Sequence, residues 1–329
     1  MGRRHAASVT CVLQWYSVMT TYSLVPDPQT LHGAFSRELA PALTIDPGDT
    51  VQFRTLDADW NLEPRTATRY AEKPRQFWPR PPGHENGHAL TGPVAIRGAQ
   101  PGMVLGVRID SVVPGAWGFT AVGGWPHLVN DRLGLAGQGT YLLWTLDAEA
   151  RQGRNQYGQS VALRPFLGVM GMPPAEPGLH STIPPRPTGG NLDCKELVAG
   201  STLYLPVAVP GGLFSVGDGH ARQGDGEVAV TAIECPLEEV ALTFSLHPEL
   251  QLAMPRAHTP AGWITFGLHE DLNEAALLAL EGMVALICEL HGLDRHQALG
   301  LASVLVDLRV TQIVNRVKGV HAVLPHGAL

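Results

Sequence analysis

The sequence predicts a mainly β fold: a β-sandwich body built from hairpins, with a C-terminal α/β subdomain. Three observations carry this. Thirty-seven glycines and 27 prolines are spread through 329 residues, which implies many turns and short elements. Short apolar runs alternate with polar residues and break at Pro-Gly turns. Helical spacing of apolar residues is sustained only after Pro260.

Taken in order, residues 1–22 are expected to form an N-terminal extension outside the fold. Arg3-Arg4 and a Gln-interrupted apolar patch weakly imitate a signal peptide, and Met19 begins a more ordinary start. The body is expected over 23–260. Leu43 and Ile45 alternate into Pro47-Gly48-Asp49, and Val51 and Phe53 alternate out of it. The pattern recurs over 94–109 around Pro101-Gly102 and, more loosely, over 197–209 around Gly200. Three such units predict hairpins of a sandwich. Residues 60–92 and 165–193 read as two long polar loops, the second stiffened by Pro173-Pro174 and Pro184-Pro185. The subdomain is expected over 261–329. Asp271 and Glu274 form a capping pattern before an apolar stripe from Leu272 to Leu290, which Gly292 stops. A second helix starts at Asp294 with Gln297 as its partner and runs to about Val306. Leu308, Val310 and the segment 320–324 read as strands around a Lys318-Gly319 turn.

Composition narrows the partners. Charged residues make up 16% with a formal net charge of -7, so no basic face exists for nucleic acid. Glu281 interrupts the best apolar run, 275–290, so no membrane span is expected. Cys11, Cys194, Cys235 and Cys288 form no CxxC pair, which suits a reducing, cytoplasmic setting.

Chemistry concentrates in the stretch from Gly217 to Glu227. It carries four glycines, the carboxylates Asp218, Asp225 and Glu227, and His220. Alternating apolar residues precede it (Leu203 to Val209) and follow it (Val228 to Ala232), so it reads as a loop between half-buried strands. A solvated turn would explain the Asp and Gly content alone. An EF-hand would not fit, because Arg222 falls where an oxygen ligand is needed. No GxSxG, GxxxxGK[ST] or HExxH motif occurs. Cys194 beside Lys195 suggests cysteine-dependent amide hydrolysis, but the two side chains would point apart on a strand, and a structural cysteine is expected. His32, His88, Asp193, Asp218, His220 and Glu227 together form a mixed histidine and carboxylate set on separate loops.

Several strings then point to a family. His32-Gly33 with the segment 43–51, Leu90-Thr91-Gly92-Pro93-Val94 and Gly189-Gly190-Asn191-Leu192-Asp193 are three of them. The stretch 217–227, the segment 307–315 and Lys318-Gly319-Val320-His321 complete the set. In this order, from about Thr30 to Pro325, the chain resembles the acetamidase/formamidase family. The resemblance implies a β-sandwich with a C-terminal α/β part, hydrolysis of small linear amides (formamide or acetamide) to carboxylate and ammonia, and a divalent metal. Zinc is the expected metal, with calcium as the alternative. Arg222 stands where such proteins commonly carry a small residue.

On that basis His32, Asp193, Asp218 and His220 form the expected ligand pool, and Glu227 is the expected proton shuttle. His88 is expected to orient the substrate amide. Backbone N–H groups near Gly190–Asn191 or at Gly217–Gly219 are expected to hold the oxyanion. A homodimer or higher homo-oligomer is expected. Two alternatives stay open: a cyclic-amide hydrolase of γ-lactamase type, and a non-catalytic sandwich that binds metal and ligand.

Overall fold

The computed structural model describes residues 19–329 apart from 82, 84 and 85, so residues 1–18 of the expected extension lie outside the described residues. Thr21 and Tyr22, assigned to the same extension, begin the strand Thr21–Leu24, which runs parallel to Thr50–Thr55.

Two large sheets face each other. The first has nine strands, in the order Thr21–Leu24, Thr50–Thr55, Leu237–His247, Val104–Pro114, Thr202–Pro206, Arg256–Thr259, Gly262–His269, Lys318–Pro325, Asp307–Gln312. The second has eleven strands and places Phe214–His220 at its centre, flanked by Phe166–Gly171, Glu234–Cys235 and Leu90–Ile96. Their inner faces share one core, in which Phe53, Val107, Leu205, Phe214 and Phe244 are almost fully buried. Phe214 of the second sheet meets Phe244 of the first edge-on at 5.2 Å. Each such side chain contributes about 1.5–3 kcal/mol by leaving water.

The alternating runs are strands, but the expected hairpins are corners. Leu43–Ile45 pairs with Leu90–Ile96 in the second sheet, while Thr50–Thr55 pairs with Leu237–His247 in the first. Leu90–Ile96 and Val104–Pro114 divide between the sheets in the same way around Pro101-Gly102. Alternation reports an apolar face but not which sheet carries it, and a tight turn serves either geometry. The third unit has one strand only, Thr202–Pro206, with Leu197 buried in the core outside any strand. The region 165–193 is likewise not all loop, since it contains the strands Phe166–Gly171 and Gly189–Asn191.

In the C-terminal part, the Asp271 side chain accepts from the backbone N–H of Asn273 and Glu274, and Gly292 ends the helix at φ 65°. Asp294 and Gln297 form a reciprocal capping box on the helix Arg295–Leu305. Lys318-Gly319 is not a turn but the start of a strand, and residues 313–317 make the reversal. The strands Gly262–His269, Lys318–Pro325 and Asp307–Gln312 continue the first sheet. The helix Leu272–His291 packs Ala275, Ala279 and Met283 against Val320, Ala322 and Leu324. A Cβ at Gly267 would stand 1.8 Å from the Ala275 carbonyl oxygen, so only glycine lets the helix approach this closely. Among the described residues, no single helix is long and apolar enough to cross a membrane.

Candidate metal centre

The site begins with a fault in the central strand pair. Leu167 pairs with Gly219 and Val169 with Gly217, and between them Gly168 stands opposite Asp218 without a ladder pair of its own. Asp218 has φ 57°. Leu167 and Met170 both join the inner core although they are three residues apart, so alternation reverses at this fault. A Cβ on Gly168 would lie 2.3 Å from Asp218 Oδ2, 2.8 Å from Asp193 Oδ1 and 2.9 Å from His220 Cε1. Three functional side chains therefore meet over one missing methyl group.

This corrects the reading of 217–227 as a loop between strands. Its first four residues lie inside the buried strand Phe214–His220, and Val228 to Ala232 form no strand. The Asp and Gly content that reads as a turn here marks a break within a strand.

Two overlapping groups result: Asp193 with His220 and Glu227, and Asp218 with His220 and Glu234. In each, one ligand-type atom per residue lies within 4.8 Å of the others. His220 Nε2 stands 3.3 Å from Asp218 Oδ2 and 3.2 Å from Glu234 Oε2. Its Nδ1 meets Gln223 Oε1 at 2.9 Å, and Gln223 Nε2 donates to the Asp193 carbonyl oxygen at 2.7 Å. An Nδ1–H donated to Gln223 leaves the Nε2 lone pair facing the carboxylates. Phe166 supports the imidazole edge-on at 5.1 Å.

Other segments hold the remaining carboxylates. Asn315 Nδ2 donates to Asp193 Oδ2 at 2.6 Å. Asn315 itself sits in a turn fixed by Gln312, whose Oε1 accepts from the N–H of Val314 and Asn315. Gly226 exchanges backbone bonds with Thr311 and Ile313, tying the Glu227 turn to the C-terminal strand. Lys195 pairs with Asp225 at 2.7 Å and joins the Asp193 and Glu227 segments. Asp193, Asp218 and Glu227 all have positive φ, at 49°, 57° and 46°. Strained backbone of this kind persists where the surroundings over-determine it.

Charge in the cluster is unbalanced. Burial, then the Asp218 charge, push the Asp193 carboxyl up to about 7. Burial raises Glu234 to about 8, against the pull of His220. Burial and then Asp193 hold Glu227 well above the usual carboxylate range. For Asp218 burial also works upward, but the His220 and His88 imidazoles outweigh it and hold the group below its ordinary value. Burial opposes charge on His220 as well, yet Glu234 and Asp218 raise it well above the usual imidazole range. Four carboxylates thus share one imidazole, and raised proton affinities on three of them offset the surplus of negative charge.

The same residues fit a divalent cation. Asp193 Oδ1, His220 Nε2, Glu227 Oε2 and Glu234 Oε2 are buried without a hydrogen-bond partner. Buried polar atoms are rarely left so, and four in one cluster match the oxygen and nitrogen donors of a transition-metal site.

The expected residues do not all converge. Asp193, Asp218, His220 and Glu227 are brought together. His32 lies in neither group: Nδ1 meets the Ala34 carbonyl oxygen at 2.8 Å and Nε2 meets Ser215 Oγ at 2.9 Å. His88 is fixed by Thr182 Oγ1 through its backbone N–H and Nδ1. Asn191 donates Nδ2 to the Ile183 carbonyl oxygen and keeps a buried Oδ1 without a partner. Gly190 pairs with Met170, at φ 96°. Gly219 pairs with Leu167 and Cys235 in the sheet, and a Cβ there would meet Leu237 at 2.6 Å. Cys194 is fully buried, and burial pushes its thiol up to about 12, as befits a structural cysteine. Sequence reasoning missed Glu234, Gln223, Asn315 and Gly168. A lone carboxylate between Ile233 and Cys235 was the available signal for Glu234.

A two-sheet sandwich with a buried carboxylate–histidine centre at a break in its central strand defines a class of β-sandwich proteins with a candidate metal site. The chain belongs to the acetamidase/formamidase family, whose model matches residues 18–181 and 175–327. It is similar in structure to an acetamidase of Bacillus halodurans, with TM-score 0.80 and 27% identity over 92% of this chain and 97% of that one. An acetamidase of Yersinia enterocolitica gives TM-score 0.80 and 26% identity over 94% and 93%. A formamidase of Methylophilus methylotrophus is 55% identical over 47 residues. A Schizosaccharomyces pombe protein assigned as a formamidase is 29% identical over 251 residues. These aligned stretches span 12% of the Methylophilus protein and 60% of the yeast protein, with 14% and 60% of this chain.

Proposed function

We propose that the protein hydrolyses the C–N bond of small linear amides to a carboxylate and ammonia, with a divalent cation at the His220 cluster. The observation that carries this reading is the set of buried, unpartnered atoms on Asp193, His220, Glu227 and Glu234, in the cluster where Asp193, Asp218 and His220 meet beside Gly168. Asp193, Asp218, His220 and Glu234 would hold the cation, which supplies Lewis acidity and lowers the pKa of bound water. The mixed nitrogen and oxygen donors favour zinc over calcium.

The chain's own groups account for the rest. Glu227, with its raised proton affinity, takes a proton from water and returns it to the departing nitrogen. Asn191 Oδ1 accepts from the substrate amide N–H, and His88, anchored by Thr182, orients the carbonyl end. Gln223 keeps His220 in the tautomer that presents Nε2. The same reading carries a cytoplasmic homo-oligomer, which light scattering on the purified protein tests.

The test is ammonia release from formamide, acetamide and a γ-lactam, before and after dialysis against a strong chelator. Activity on the linear amides should vanish on metal removal and return with zinc better than with calcium. Full turnover by protein shown by elemental analysis to be metal-free would overturn the reading.

A further inference from the structure

A cavity of about 560 Å³ draws its walls from both sheets. Val112, Val113 and Pro114 end the strand Val104–Pro114 of the first sheet. Arg164 and Pro165 follow the strand Ser160–Ala162 of the second, and Arg222 follows Phe214–His220. The wall is mostly apolar, and its charged side chains are Asp110, Arg151, Arg164 and Arg222.

The three arginines gather around residues 162–164. The Arg151 carbonyl oxygen accepts from the Leu163 N–H at 2.8 Å, and the Arg164 N–H donates to the Ala221 carbonyl oxygen at 2.9 Å. Arg222 Nη1 donates to the Ala162 carbonyl oxygen at 2.7 Å. Their charge is only partly matched. Arg164 pairs with Glu196, which also takes Arg309 at 3.2 Å. Asp110, the one carboxylate on the wall among the described residues, accepts from Arg108 Nε at 2.5 Å and from the Thr243 hydroxyl at 2.6 Å. Glu239 is not on the wall and accepts from the Ser111 hydroxyl at 2.9 Å. Arg151 and Arg222 are both exposed and belong to no ion pair among the described residues. Apart from the one bond to Ala162, their side-chain donors have no protein partner.

Two uncommitted guanidinium groups carry two positive charges, and a phosphate monoester above its second pKa of about 6 carries close to two negative ones. Arginine also matches the donor geometry that phosphate oxygens accept. A mostly apolar hollow with a few convergent polar groups has the make-up of a small-molecule site. We infer that this cavity binds a phosphate monoester with an apolar organic body. The site goes beyond the hydrolytic reading and does not rest on it.

Titration calorimetry of the full chain with phenyl phosphate, in phosphate-free buffer, tests the binding. It is run on zinc-loaded and on chelator-treated protein, so that binding to a metal at the His220 cluster is told apart. Saturable one-to-one binding is expected in both preparations. Inorganic phosphate should bind about tenfold more weakly for want of apolar contacts, and benzyl alcohol, which lacks the charge, should not bind. Arg151→Gln and Arg222→Gln, at exposed positions, should each weaken phenyl phosphate by about two- to fivefold and lower the salt dependence. Arg75→Gln, which removes an exposed arginine away from this wall, should leave it unchanged. Absence of saturable binding, binding confined to zinc-loaded protein, or equal affinities in all three variants overturns the inference.

Discussion

Replacing Gly168 with alanine adds one methyl group where Asp193, Asp218 and His220 converge. The new Cβ would stand 2.3 Å from Asp218 Oδ2, 2.8 Å from Asp193 Oδ1 and 2.9 Å from His220 Cε1. Contacts below about 3 Å cannot be held, and three buried neighbours, two on one strand and one on the segment after Asn191, cannot all give way together. In the cation-free protein the two carboxylates can swing aside. With a cation bound they are fixed, so the strain falls mainly on the bound state. Overpacking of this kind costs about 1–3 kcal/mol, which corresponds to a loss of about 5- to 150-fold in metal affinity. The assay is zinc affinity by competition with a chromophoric chelator, alongside the melting temperature of the metal-free protein. Wild-type affinity in a folded Gly168→Ala protein would show that the three side chains do not act at one point.

Three further predictions use other parts of the molecule. Asn315→Ala should lower metal affinity by about 10- to 100-fold while the fold is kept, since it removes the donor that orients Asp193; unchanged affinity would show that Asp193 needs no such support. Cys194→Ser should retain turnover, at a stability loss of about 1–3 kcal/mol for a hydroxyl in an apolar site; a folded, metal-loaded variant without activity would restore the cysteine route. Asp57 is fully buried, and burial, then the charge of Asp59, raise its carboxyl from 3.8 to about 7. The native state therefore holds a proton that the unfolded chain has released, so stability falls as pH rises from about 4 to about 7, by up to about 4 kcal/mol. Asp57→Asn should flatten the dependence of melting temperature on pH over that window, and equal slopes in the two proteins would refute the assignment.

How far the sequence spoke depended on whether a signal was local. Asp271, Gly292 and the Asp294–Gln297 pair act on backbone groups a few residues away, and all three fall where spacing put them. Strand alternation was legible too, because it reports a buried face. Sheet membership was not: Leu43–Ile45 and Thr50–Thr55 look like one hairpin, yet they belong to different sheets. At the candidate site the decisive feature is Asp218 at φ 57°, which turns a strand over without any change in composition. Glu234 was hidden for a related reason. Ile233 and Cys235 read as core, and His220, its cross-strand partner, is fourteen residues away in the chain. Asn315 reaches Asp193 only because Gln312 folds the intervening turn, a contact that spans 122 positions.

The positive φ values at Asp193, Asp218 and Glu227 bear on how a cation would arrive. Each is set by main-chain bonding on neighbouring segments, so the carboxylates are assembled against their mutual repulsion before any ion is present. An incoming dication would then find the main chain already ordered and only side-chain torsions to settle. Its binding would be governed by relief of repulsion and by release of the protons that had stood in for it. Calorimetry in buffers of different ionisation enthalpy would register it as proton release with a small conformational entropy. In this sense the centre behaves like a loaded spring held by the chain rather than like a loose set of ligands waiting to be gathered.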